Sequence, residues 1–265
     1  HPAVGVFQVA KGEATPGAHV VHGTFLTSLG DYRFLAGECK GGYLRLSCFD
    51  GAHAFLFRAE PGRGATMNGE FWSSNTWHET WTARKDENAR LPEAFQLSKW
   101  NQGTRLGDLA YPDLRGKRRS LADAAFVGPC RILQVFGTWC PNCTDASRYL
   151  AELDRRYRDR GLRVLGLAFE HAPEFENSAP LVRDYVKRQG IDYPILIAGI
   201  SNKAQAQKAF PALDQVLAYP TTIFLDRRGK VRAVHTGFSG PATGAEHRRL
   251  RQRFQEIIEE LLGDR

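Results

Sequence analysis

The side chains best suited to chemistry in this sequence are two cysteines, Cys140 and Cys143, in the run FGTWCPNC over 136–143. Residues three apart share one helix face, so the two sulfurs come within bonding reach if a helix begins there. The preceding residues 131–136 (RILQVF) form an apolar run that reads as a buried strand. Pro141 suits a first helical turn, where its missing N–H is not needed. Cys140 therefore falls at a strand-to-helix junction. Unpaired backbone N–H groups and the positive end of the helix dipole favour an anion at that point. In such settings a thiol pKa falls from roughly 8.5 to the range of about 3.5–7.5. The chemistry that follows is thiol–disulfide exchange, with Cys140 attacking a disulfide and Cys143 resolving the mixed disulfide. Asn142 adds no charge to stabilise the thiolate, which points to a moderately reducing dithiol rather than a strong oxidant.

The elements that must position this dithiol differ along the chain. Residues from about 20 to 83 are rich in Gly, aromatic and β-branched residues. Strands are expected at 20–26, 32–39, 43–49, 53–59 and 66–73, with Gly41-Gly42 as a hairpin turn. This predicts an antiparallel β-rich domain over 1–84. The polar, aperiodic stretch 85–103 (KDENARLPEAFQLSKWNQG) reads as a linker. From 104 to 265 strands alternate with helices, the sign of an α/β sheet with crossover connections. Strands are expected at 109–114, 131–136, 162–169 and 193–197. Helices are expected at 141–160, 180–189 and 202–210, the first two stopped by Gly161 and Gly190. A hairpin pairs 221–225 with 230–235, and an amphipathic helix over 246–262 ends the chain.

The other cysteines are Cys39, Cys48 and Cys130. Only one CxxC occurs, which excludes a four-cysteine zinc ribbon. With Gly41-Gly42 at the turn, Cys39 opposes Leu44 and Cys48 opposes Leu35. The two cysteines then lie roughly 13 Å apart along the ribbon. A disulfide needs Cα atoms within about 7 Å, so both are expected to be separate and structural. Cys130, at the start of the central strand, reads as a partly buried structural thiol rather than a third redox centre. His78-Glu79 has no second His at i+4 and reads as β-domain surface.

About eighty residues after the dithiol stands YPTTIFLDRRGKV, beginning at Tyr219-Pro220. Together with FGTWCPNC, this resembles the TlpA/ResA-like branch of the thioredoxin superfamily. The resemblance covers roughly 104–240 and implies a thioredoxin-like α/β fold with a central mixed sheet. It implies that Pro220 is cis and sits against the dithiol, and that its neighbour Tyr219 pairs through its backbone with the substrate chain. Trp139 and Pro141 then flank the nucleophile in the substrate groove. Cytosolic thioredoxins carry a buried Asp six residues before the first cysteine, where this chain has Gln134. Glu170 matches the glutamate that ResA-like proteins place beside their dithiol. A carboxylate there would accept the Cys143 proton if burial raises its pKa; read from the residues alone, a solvated loop carboxylate stays open. The β-rich region resembles, more distantly, the β-domains that precede the redox domain in TlpA-like proteins of Bacteroidetes-type bacteria, on motifs such as GDYRFLAGE and FWSSNTWHETW.

Composition bounds the remaining readings. An apolar fraction of 42% and a charged fraction of 25% are those of a globular protein. The net charge is +7, but the basic runs at 117–119, 155–160 and 248–253 read as solvated helix faces and loops rather than a nucleic-acid surface. The longest apolar runs are too short to span a bilayer. The chain starts at His1, so an upstream signal or lipid anchor stays open, and membrane attachment is expected only through such an anchor. No cofactor is expected beyond the redox-active cysteine pair. Expected partners are protein substrates held by a transient mixed disulfide and an upstream membrane electron donor, in a periplasmic or otherwise extracytoplasmic setting. A peroxiredoxin needs Pro seven and Thr or Ser three residues before its reactive cysteine. Leu133 and Gly137 hold those places for Cys140, Phe136 and Cys140 for Cys143, and Asp123 and Val127 for Cys130. A soft-metal dithiol such as a Cu(I) carrier is the other alternative, and the single Met argues against it.

Overall fold

The computed structural model describes residues 2–50 and 53–264. The chain divides into two compact units, His1–Leu91 with Ser239–His247, and Pro92–Phe238 with Arg248–Arg265.

The first unit is built on β1 (Ala3–Thr15), β2 (Ala18–Thr27), β3 (Gly30–Asp31), β4 (Leu35–Lys40), β5 (Tyr43–Phe49), β6 (Ala54–Pro61), β7 (Thr66–Ser73) and β8 (Trp77–Arg84). These form one curled antiparallel sheet in the order β1-β2-β4-β5-β6-β7-β8, with β3 paired to β2. Alternation drives it: in β5, Leu44 and Leu46 are buried while Tyr43, Arg45 and Ser47 face solvent. The inward residues pack as an aromatic core, in which Tyr32 stands edge-on to Phe55, Phe57 and Phe71. Gly41 and Gly42 both have positive φ, 57° and 86°, as a tight hairpin turn requires. The register is the expected one, Cys39 opposite Leu44, and both Cys39 and Cys48 are free thiols. Strands β1 and β8 lay outside the sequence expectation. Pairing with β2 and β7 fixes them.

The second unit opens with a small hairpin, β9 (Ala110–Pro112) with β10 (Arg118–Ser120). Its main sheet comprises β11 (Cys130–Phe136), β12 (Leu162–Glu170), β13 (Ile195–Ile200), β14 (Thr221–Asp226) and β15 (Val231–Thr236), in the order β13-β12-β11-β14-β15. β11, β12 and β13 run parallel, and β14 is antiparallel to both of its neighbours, β11 and β15. All seven residues of β11 are buried, which its continuous apolar run anticipates. The helices are α1 (Pro141–Tyr157), α2 (Phe175–Gln189), α3 (Lys203–Ala209) and α4 (Ala245–Gly263), the last reaching across both units in sequence. Beyond α1 a short 3-10 turn ends at Gly161, whose φ of 107° takes the left-handed stop.

Two expectations need correction here. Helix α2 starts at Phe175, not at Pro180, so Pro180 lies inside the helix. The stretch 85–103 is not a uniform linker, because residues from Pro92 onward fold with the second unit. Trp100 bridges Leu213, and Asn101 donates its side-chain amide to the carbonyls of Pro211 and Leu213 at 2.6 and 2.9 Å. Bonds to a backbone more than a hundred residues away leave no periodic trace in the local sequence.

Candidate active site

The parallel strands converge on one sheet edge. The C-terminal end of β11 leads through Gly137-Thr138-Trp139 into Cys140, that of β12 delivers Glu170 and His171, and that of β13 leads to Ser201. β14 runs the opposite way, so its first residues, after Pro220, reach the same edge: Val135 pairs with Thr221. In open α/β sheets this carboxyl edge is where ligands bind.

Cys140 is the N-cap of α1, with Pro141 at the first helical position. The Cys143 backbone N–H points at the Cys140 sulfur at 3.2 Å. The two cysteines form a disulfide with Cα atoms 5.2 Å apart. Cys140 retains 4% of its surface and Cys143 none. Asn142 leaves its buried carbonyl oxygen without a hydrogen-bond partner among the described residues. The Tyr219–Pro220 peptide is cis, and the Tyr219 carbonyl oxygen lies 3.2 Å from the Cys140 sulfur.

Trp139 donates its indole N–H to the Phe169 carbonyl at 2.9 Å. Its ring meets Tyr219 edge-on at 5.3 Å and stacks on His171 at 4.8 Å. Gly137 makes this seat: a Cβ there would stand 2.3 Å from the indole nitrogen. Glu170, 2% exposed, accepts from the Thr138 backbone N–H at 2.9 Å and from the Thr138 hydroxyl at 2.6 Å. Burial pushes its carboxyl above the ordinary range, although the two Thr138 bonds and the His171 charge pull the other way. Behind the dithiol, Gln134 is fully buried in a neutral network. Its amide donates to Ser147 at 3.0 Å and its carbonyl accepts from Tyr193 at 2.9 Å. Tyr185 donates its hydroxyl to Ser147 at 3.0 Å.

All seven residues singled out from the sequence (Trp139, Cys140, Pro141, Cys143, Glu170, Tyr219 and Pro220) therefore stand on or beside this edge. Sequence reasoning missed Thr138, His171 and Ser201. Thr138 and His171 are direct neighbours of residues it named, whereas Ser201 carries no signal beyond following an apolar strand. Cys130 sits at the far end of β11, roughly 20 Å from Phe136 at about 3.3 Å per residue. It is fully buried, and burial alone pushes its thiol up to about 12. On the first unit, His78 faces Glu70 at 3.2 Å and stacks on Trp72, as a surface residue.

Comparison with known proteins adds to this geometry. Residues 103–234 match the AhpC/TSA family. The chain is 30% identical over 136 residues to the thioredoxin-like protein YneN of Bacillus subtilis (strain 168), covering 51% of this chain and 72% of that protein. It is 28% identical over 119 residues to the thiol-disulfide oxidoreductase ResA of Bacillus thuringiensis subsp. konkukian (strain 97-27), covering 45% of this chain and 60% of that one. A solved thiol:disulfide interchange protein of Chlorobium tepidum TLS is 25% identical, with a TM-score of 0.44 over 58% of this chain and 93% of that chain. The matched span is the one that carries the dithiol, Glu170 and Pro220, and with it the chain belongs to the AhpC/TSA thioredoxin-like family, among the relatives of the ResA-type thiol–disulfide oxidoreductases.

Proposed function

We propose that this chain reduces protein disulfides through Cys140 and Cys143, outside the cytoplasm. The carrying observation is the asymmetry of the pair: Cys140 caps α1 and keeps 4% of its surface, while Cys143 keeps none. The Cys140 thiolate, stabilised by the helix N-terminus, attacks a substrate disulfide and releases one substrate thiolate. The Cys143 thiolate then attacks the Cys140 sulfur, releasing the second substrate thiol and leaving the Cys140–Cys143 disulfide. Two electrons pass from the dithiol to the substrate, and an upstream thiol donor at the membrane restores the dithiol. Pro220 and the Tyr219 backbone line the groove with Trp139 and Pro141. Glu170, with its carboxyl raised by burial, takes the Cys143 proton during resolution. The β-rich region of 1–84 is proposed as a separate domain that docks a partner or the envelope surface.

The test is trapping. Cys143→Ser is expected to accumulate a mixed disulfide on Cys140 with its protein substrate, and Cys140→Ser is expected to lose insulin-disulfide reduction. Retained reduction in Cys140→Ser would falsify the mechanism. Peroxide consumption or tight Cu(I) binding, without disulfide reduction, would favour the peroxidase or metal-carrier reading instead.

A further inference from the structure

We infer that His171 is a positioning residue for the exchange reaction proposed above: it holds the Trp139 ring and ties the loop bearing Cys140 to the loop bearing Pro220. The basis is a closed circuit of contacts around the dithiol. Cys140 follows Trp139 in the chain. The Trp139 ring stacks on His171, with centroids 4.8 Å apart and planes 27° off parallel. The other side of the imidazole reaches Ser201, with Nδ1 2.8 Å from the hydroxyl. The Ser201 carbonyl accepts from the Tyr219 hydroxyl at 3.2 Å, and the Tyr219 carbonyl returns to the Cys140 sulfur at 3.2 Å. A cross-brace closes the middle, where Tyr219 meets Trp139 edge-on.

Histidine suits this place because it supplies two things at once. It offers a flat ring for the indole face and a ring nitrogen for the Ser201 hydroxyl. Phenylalanine would keep only the stack, and alanine keeps neither. His171 is itself exposed, so it gains little from burial. Its contacts act instead on two loops that a substrate chain must touch. Ser201 is fixed independently, since its backbone N–H donates to the Glu170 carbonyl at 2.8 Å. The end of β12 thus grips the nucleophile loop through Phe169, Glu170 and His171 in succession. The first two grips are hydrogen bonds from the half-buried Trp139 and Thr138 to the buried Phe169 and Glu170, and the third is the one at the surface. Displacing a positioning group by about 1 Å costs up to 10²-fold in rate, so loss of one grip of three has a measurable effect.

The experiment compares wild type, His171→Ala, His171→Phe, Ser201→Ala and the His171→Ala/Ser201→Ala double variant. Each is assayed for reduction of insulin and of a small aromatic disulfide, with folding checked by circular dichroism. In His171→Ala the KM for insulin is expected to rise about tenfold, while kcat and the small-disulfide rate stay within about twofold. His171→Phe is expected to recover part of the KM, because the stack returns and the Ser201 tie does not. The double variant is expected to be no worse than His171→Ala, because Ser201 acts through the imidazole. Tryptophan emission is expected to change in His171→Ala and not in a Trp139→Phe background. An unchanged KM in His171→Ala, no recovery in His171→Phe, or fully additive loss in the double variant overturns the inference. Wild-type reduction that disappears in Cys140→Ser keeps the exchange reading standing whichever way His171 falls. A wild type without Cys140-dependent reduction overturns that reading, and this inference with it.

Discussion

At the scale of single residues, environment separates five cysteines of one chemical type. Cys140 sits at a helix N-terminus and keeps 4% of its surface, whereas Cys143 and Cys130 keep none. Burial holds the Cys130 thiol at about 12, so it has almost no thiolate at neutral pH. Alkylation of the reduced, native protein at pH 8 is therefore expected to label Cys140 and to spare Cys130 until the protein unfolds; peptide mapping by mass spectrometry reads this directly. Glu170 has two potential duties, since it clamps Thr138 and carries a carboxyl raised by burial. Its raised pKa makes the ionised carboxylate a stronger base than an ordinary glutamate, as accepting the Cys143 proton requires. Glu170→Gln preserves an acceptor for Thr138 but cannot take a proton. It is expected to slow release of substrate from the Cys140 mixed disulfide by about a hundredfold, with the initial attack unchanged. Equal slowing of both steps in stopped-flow would instead reduce Glu170 to a loop clamp.

At the scale of elements, most boundaries were legible because periodicity and stop signals agree. β11 and β12 are continuous apolar runs, α1 begins at a proline and the 3-10 turn that follows it stops at Gly161, and α4 carries a single apolar stripe. Proline is a good first helical residue, so the sequence predicts a start of α2 at 180 where the fold has Phe175. In the fold, Ser178 donates to the Ala172 carbonyl at 2.9 Å, and Ser178 and Ala179 are buried, which pulls the helix back to Phe175. Pro180 then lacks an N–H that an interior helical position needs. It is exposed, so replacing it removes no core packing. Pro180→Ala is expected to stabilise the protein by about 1–2 kcal/mol, the interior helix gain offset partly by a freer unfolded chain. Urea denaturation measures it, and a lower midpoint would show that Pro180 is needed where it stands.

At the scale of the molecule, the second unit carries a buried group that links its stability to pH. His235 on β15 is 5% exposed, with Nδ1 3.0 Å from the Gly237 carbonyl and its ring against Phe95 and Phe254. Burial pulls its pKa down to about 4. The unfolded chain takes up that proton near the ordinary value of about 6.5, so the folded state is neutral where the unfolded state is charged. Stability is thus undiminished above about pH 6.5, falls as the pH drops toward 4, and loses ~3 kcal/mol in all. His235→Phe is expected to flatten that limb of the stability profile in denaturant titrations from pH 7 to 4. An unchanged slope would place the acid sensitivity elsewhere. Within two of the basic runs, Arg155 pairs with Asp192, Arg160 with Glu259 and Arg251 with Glu152. Exposed pairs of this kind add little to stability.

The sequence by itself determined the dithiol, its place at the strand-to-helix junction, the α/β order around it and the separation of Cys39 from Cys48. Those features depend on near neighbours, through helix and strand period, turn chemistry and the spacing of two cysteines. Only the tertiary structure decided what surrounds the dithiol. Thr138, Glu170, His171, Ser201 and Tyr219 come from separate stretches, and the parallel pairing of β11, β12 and β13 with the antiparallel β14 beside them brings these stretches to one edge. The tie from Asn101 to the carbonyls of Pro211 and Leu213 is of the same kind. Contacts across such distances are fixed by which strands lie side by side, and local composition carries no record of that choice.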